Sequence, residues 1–95
     1  MDREDKHKKN YIGVMECIMG TDIRKKGHDR SAAYARAVVS HVMIKDGYTE
    51  SEIGRLLNRN HSTINHYKNI MNTVMEYPNQ YKDIINLYEK YRNHI

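Results

Sequence analysis

Proline occurs once in these 95 residues, cysteine once and glycine five times, and each scarcity removes a class of structure. A single cysteine, Cys17, excludes an internal disulfide framework; it fits a reducing cytosol, with Cys17 as a small core residue. No stretch alternates apolar and polar residues as a half-buried strand would, and helix breakers are few, so the helical class is expected. No apolar run approaches a membrane span or is laid out as a signal peptide. The expected location is cytoplasmic, with no membrane partner. The glycine-rich phosphate loop G-x-x-x-x-G-K-[ST] is missing, so no nucleotide partner is expected. His7, His28, His41, His61, His66 and His94 are scattered without zinc-ligand spacing, and Cys17 has no recognisable third group or oxyanion loop to accompany a histidine. Catalytic residues, cofactors and metal ions are each expected to be none, and the chain is not expected to be an enzyme.

What is present is enough apolar residue, 39% of the chain, for one modest helical core. The expected organisation is a single all-α domain over 1–95: a small helical bundle containing a helix-turn-helix, with an additional C-terminal helix. Residues 1–10 are almost wholly polar and are expected to fray. Tyr11, Ile12, Met15, Ile18 and Met19 form an apolar stripe, which Gly20 is suited to end. Ile23 is expected to tuck under this helix, and residues 24–30 read as a basic loop. Asp29 or Ser31 can cap a helix over about 31–46, carrying Ala33, Ala37, Val38, Val42 and Ile44. A Tyr77-Pro78-Asn79 break precedes the last helix, about 79–93, in which Tyr81, Ile84, Ile85, Tyr88 and Tyr91 share one face. A tyrosine stripe at that spacing is core or partner surface, with base stacking as the alternative.

Residues 49–74 carry the organising pattern. Thr49 and Glu52 form a capping box. Ile53, Leu56 and Leu57 then make one apolar face, interrupted by Asn58-Arg59-Asn60, residues that favour turns. Ile64, Tyr67, Ile70 or Met71, and Val74 recur at helical spacing, while His61, Ser62, Asn65, Lys68, Asn69 and Asn72 take the other side. A short helix, a tight turn and a longer helix with a hydrogen-bonding face is the layout of a helix-turn-helix, whose second helix enters the DNA major groove. Gly54 inside the first helix costs roughly 1 kcal/mol against alanine, which points to close packing beneath the second.

The net charge of +4 is not spread evenly. Both ends of the chain are neutral, and the whole surplus lies between Asp22 and Lys68, on and just before the helix pair. Phosphate neutralisation supplies most non-specific affinity for DNA.

Glu-Ile-Gly at 52–54 and Arg-Asn-His-Ser-Thr-Ile-Asn-His at 59–66 resemble the signature of the C-terminal DNA-binding domain of the bacterial replication initiator DnaA, of the Trp-repressor-like superfamily. There an E-I-G precedes an R-D-H-[ST]-T-V-x-H-A run. The likeness covers roughly residues 12–75, including Asp22, Lys26, Arg30, Ser31, Ala33 and Arg36 in the basic loop and following helix. It implies sequence-specific binding of double-stranded DNA, in replication initiation or its regulation. Asn60, His61, Ser62 and Asn65 would contact bases; Lys25, Lys26, Arg30, Arg36, Thr49, Ser51, Arg55, Arg59, Thr63, His66 and Lys68 would contact phosphates, with Arg59, in the turn, able to reach a base edge instead. Two departures stand out. Ala33-Tyr34 lacks the arginine that the family sends into the minor groove, for which Arg30 or Arg36 would have to substitute. Asn60 replaces the family's aspartate, exchanging an acceptor-only group for one that pairs with adenine. The competing reading is a protein-interaction module of the same fold that binds a replication partner through the first helix and the tyrosine-striped last helix, or a small transcriptional regulator, with a protein partner or self-association through the tyrosine-rich last helix.

Overall fold

A computed structural model describes residues 10–25 and 30–95. Five α-helices follow one another: α1 Tyr11–Met19, α2 Arg30–Lys45, α3 Glu50–Leu57, α4 His61–Glu76 and α5 Lys82–His94, with a 3-10 turn at Pro78–Gln80 before the last. No strand occurs among the described residues. This is the expected small all-α bundle, and none of these helices is long and apolar enough to cross a membrane. The expected frayed segment 1–10 lies, apart from Asn10, outside the described residues, as do Asp29 and Lys26.

Local chemistry sets the helix ends. Asn10 caps α1 by accepting from the Gly13 amide at 3.0 Å, and Gly20, at φ 70°, ends it. At the end of α2, Gly47 takes φ 99°, its amide donates to Ile44 and the Tyr48 amide to Met43, both at 3.0 Å. That pair of bonds is a Schellman closure. The capping box of α3 forms as the sequence suggests: Glu52 N–H donates to Thr49 Oγ1 and Thr49 N–H to Glu52 Oε1.

Helix α2 is the central element, packed against each of the other four helices. Ala35, Val38, Val39 and Met43 on α2 meet Ile64, Tyr67, Met71 and Val74 on α4, with Ile53 and Leu57 from α3, Tyr11 and Met15 from α1, and Ile84, Tyr88 and Tyr91 from α5. Ala32, Ala35 and Ala37 of α2 are buried. Ile23 is fully buried, as expected.

Four expectations need correction. Cys17 is exposed, because α1 buries the Tyr11–Met15 side and Cys17 lies on another. Leu56 remains 45% exposed, since an eight-residue helix meeting the core through Ile53, Gly54 and Leu57 leaves its neighbour outside. Helix α5 starts at Lys82 rather than 79, because Pro78–Gln80 close a 3-10 turn through bonds from Gln80 to Tyr77 and from Tyr81 to Pro78. Ser31 sits inside α2 instead of capping it. The tyrosine stripe is core: Tyr88 and Tyr91 are buried, and the Tyr91 hydroxyl donates to the Tyr11 carbonyl at 2.9 Å.

Two predictions come from this packing. Leu57 and Ile64 are fully buried, so replacing either by alanine should cost roughly 2–5 kcal/mol in urea unfolding; wild-type stability in both variants would show they are not the core. His41 stands edge-on to the Tyr88 ring, centroids 5.4 Å apart, and its Nε2 is buried with no hydrogen-bond partner among the described residues. Burial, with a smaller contribution from Lys45, holds its pKa below the ordinary 6.5. The unfolded chain therefore takes up a proton near that pH while the folded chain resists it, so stability is lost as pH falls through 6.5. Thermal unfolding at pH 7.5, 6.5 and 5.5 should show this fall in wild type and a shallower one in His41→Leu.

Candidate nucleic-acid interface

The helix pair is joined by a three-residue turn whose shape is set by its residues. Asn58 adopts a left-handed conformation, φ 57° and ψ 47°, which asparagine tolerates better than most residues. The Arg59 amide returns to the Gly54 carbonyl at 2.8 Å. Here the reason for Gly54 becomes specific: a Cβ there would lie 2.6 Å from the Arg59 carbonyl oxygen, while the nearest α4 atom, Ile64 Cγ1, is 3.6 Å away. The turn's backbone, more than α4 itself, requires glycine.

Asn60 begins α4 as its N-cap. Its Oδ1 accepts from Thr63 N–H at 2.9 Å, Thr63 Oγ1 at 2.9 Å and Ser62 Oγ at 2.7 Å. The acceptor needed for a bidentate adenine contact is thus spent on the helix, and only the Asn60 amide nitrogen is left to face outward. Beyond the cap, His61, Ser62, Asn65, His66, Lys68, Asn69 and Asn72 form an exposed polar surface, with Thr63 half-buried. The base-reading candidates His61, Ser62 and Asn65 are therefore together on one accessible face.

Arg36 is only 4% exposed, so neither a phosphate nor a minor groove is within its reach. Its Nε donates to the Tyr67 hydroxyl at 2.7 Å and its Nη1 to the Ile23 carbonyl at 3.1 Å; the guanidinium carbon also lies 5.8 Å from the Tyr67 ring centroid. Arg59 is likewise occupied. Its Nη1 donates to the carbonyls of Arg24, Leu57 and Asn58, and its Nη2 to that of Lys25 at 2.9 Å. Both arginines, assigned by their charge to phosphates, instead clamp residues 23–25 against the helix pair. The segment is further tied by Glu16, which accepts from Ile23 N–H, and by Asp22, which accepts from Arg24 N–H. That backbone donor holds the Asp22 carboxyl below its ordinary pKa.

The clamp brings Arg24 and Lys25 beside Arg55 around an open cleft of about 410 Å³, also lined by Asp22, Leu56 and Asn58. All three cations are exposed. Arg24 was not singled out by sequence pattern, although its neighbour Lys25 was; adjacency in a basic run was the available signal. Arg30 is exposed at the first residue of α2 and borders Tyr34, so of the two candidates to replace the missing arginine it alone is accessible. Thr49 is committed to the capping box, Ser51 is exposed on the first turn of α3, and His66 and Lys68 are exposed on α4. Glu50, a carboxylate the sequence pattern did not mark, reaches across to α4, 3.9 Å from His61 Nε2 and 3.7 Å from Lys68 Nζ.

Among the described residues, no three His, Cys, Asp or Glu side chains are grouped to hold a metal ion. Comparison of the chain with protein-family models, with curated proteins and with solved structures returns no match.

The clamp generates its own prediction. Lysine cannot supply the forked donors of Arg36, so Arg36→Lys should leave the Tyr67 hydroxyl or the Ile23 carbonyl unsatisfied and cost roughly 1.5–3 kcal/mol. Urea unfolding measures it, and a variant as stable as wild type would mean that the buried guanidinium is dispensable to the fold.

Proposed function

We propose that this chain is a sequence-specific double-stranded DNA-binding domain of the helix-turn-helix type, resembling the C-terminal domain of the initiator DnaA and acting in replication initiation or its regulation. The observation that carries the reading is that Arg59, in the turn leading into α4, holds the carbonyls of Arg24 and Lys25, which ties the exposed cations Arg24, Lys25 and Arg55 to the helix pair whose second member opens with exposed His61 and Ser62. Bases are read by the α4 face and phosphates neutralised by the cations, the division of labour that DNA recognition requires. The N-terminus of α4 adds outward backbone amides and a partial positive charge. The same helix start explains why Asn60 is useful without reading a base: it fixes where α4 begins, and so where His61 points. The interaction-module alternative used α1 and the tyrosine stripe of α5 as its surface, and of these Tyr88 and Tyr91 are turned into the core.

The test is to titrate wild type and variants against duplexes bearing all four base pairs at each position of a site chosen from random sequence. His61→Ala should cost about 1–3 kcal/mol on the preferred duplex and little on others. Lys25→Ala and Arg55→Ala should each weaken all duplexes alike and lower the salt slope by about 1. Asn60→Asp keeps a good cap and should unfold like wild type while binding every duplex more weakly. No duplex binding by wild type at low salt would refute the reading and favour a module that binds protein.

A further inference from the structure

We propose that Glu50 restrains the proposed DNA-binding face by competing with phosphate for Lys68, so that non-specific affinity stays low; the inference rests on that face being a DNA surface. Glu50 is the first residue of α3, yet its carboxylate serves α4. One oxygen lies 3.7 Å from Lys68 Nζ and the other 3.9 Å from His61 Nε2. His61 and Lys68 are two turns apart along the same side of α4, so a single anion stands between two of the groups assigned to DNA.

The other anions nearby have different occupations. Glu52 closes the capping box by accepting from the Thr49 amide, and Asp22 accepts from the Arg24 amide. An acidic residue in the first turn also suits the helix dipole, but Glu52 already supplies one there, and the dipole gives Glu50 no reason to span to α4. The side chains of Lys68 and Glu50 are 47% and 26% exposed, and an ion pair that open adds little to folding. Its consequence falls on binding. Before Lys68 can neutralise a phosphate it must leave Glu50, and the carboxylate left behind repels the approaching backbone. Both effects penalise every duplex equally, which leaves discrimination to the base contacts.

The experiment compares wild type, Glu50→Gln, Lys68→Ala, the double variant and Glu89→Gln, whose charge lies on the exposed side of α5. Each is titrated with preferred and random duplexes over a range of salt, eluted from heparin as a generic polyanion, and melted. Glu50→Gln should bind both duplexes about threefold more tightly near 0.1 M salt, with a salt slope steeper by about 1 and an unchanged melting temperature. Lys68→Ala should weaken binding more in the Glu50→Gln background than in wild type, and Glu89→Gln should change little. Equal tightening by Glu50→Gln and Glu89→Gln, or an identical Lys68→Ala loss in both backgrounds, would overturn the restraint. If no protein binds duplex, the DNA-binding reading fails; Glu50→Gln eluting later from heparin and losing that delay with Lys68→Ala would then support the same competition against a polyanion other than DNA, and equal elution would overturn it.

Discussion

The guanidinium of Arg36, buried between α2 and α4, is the interaction on which the arrangement of the candidate interface depends. A buried cation is costly unless its donors are satisfied, and Arg36 meets that condition with the Tyr67 hydroxyl and the Ile23 carbonyl. These partners belong to separate parts of the chain. One is the helix that presents the polar face; the other is the segment that carries Arg24 and Lys25. Satisfying one charge therefore fixes the distance between the two surfaces that a DNA duplex would have to meet at once.

Arg59 adds a second tie on the same segment. Its donors reach the carbonyls of Arg24 and Lys25 as well as those of its own turn, so the basic segment is held by backbone acceptors while its side chains stay outward. Because carbonyls rather than side chains are bound, the cations at 24 and 25 stay at the surface, Arg24 close to the carboxylates of Asp22 and Glu16. The turn tolerates this crowding only because Asn58 takes a left-handed conformation and Gly54 leaves room for the Arg59 carbonyl. Two residues that would weaken an ordinary helix are what allow the turn between α3 and α4 to close so tightly.

Charge on this surface is balanced against hydrogen bonding. The +4 surplus lies in the middle of the chain, but two of its arginines are spent on the fold, and Lys68 is shared with Glu50. The cations left to meet a polyanion are fewer than composition suggests. In the same way Asn60, Ser62 and Thr63 are polar residues whose hydroxyls and acceptor are turned first to the start of α4. Of the candidate base-reading side chains, His61 and Asn65 are the ones not engaged in the cap.

The helix-turn-helix, its capping box and the burial of Ile53, Leu57, Ile64, Tyr67 and Val74 were determined by the sequence itself, because they follow from spacing within a few turns; between Ile70 and Met71 the structure decided for Met71. The inward turn of the tyrosine stripe was legible for the same reason, as one of two readings. The base-reading candidates His61, Ser62 and Asn65 could be placed on one face, since a helix's outward side is the complement of its apolar stripe. What only the tertiary structure decided were pairings between residues distant in sequence. Arg36 and Arg59 look like surface cations because charge is read residue by residue, whereas their partners at 23–25 and 67 are brought close only by folding. Glu50 meets Lys68 for the same reason. Cys17 and Leu56 were misjudged because a short helix covers the core over less of its circumference than its apolar residues occupy. Periodicity reports which side of a helix is apolar; how much of that side finds a neighbour depends on where the other helices lie.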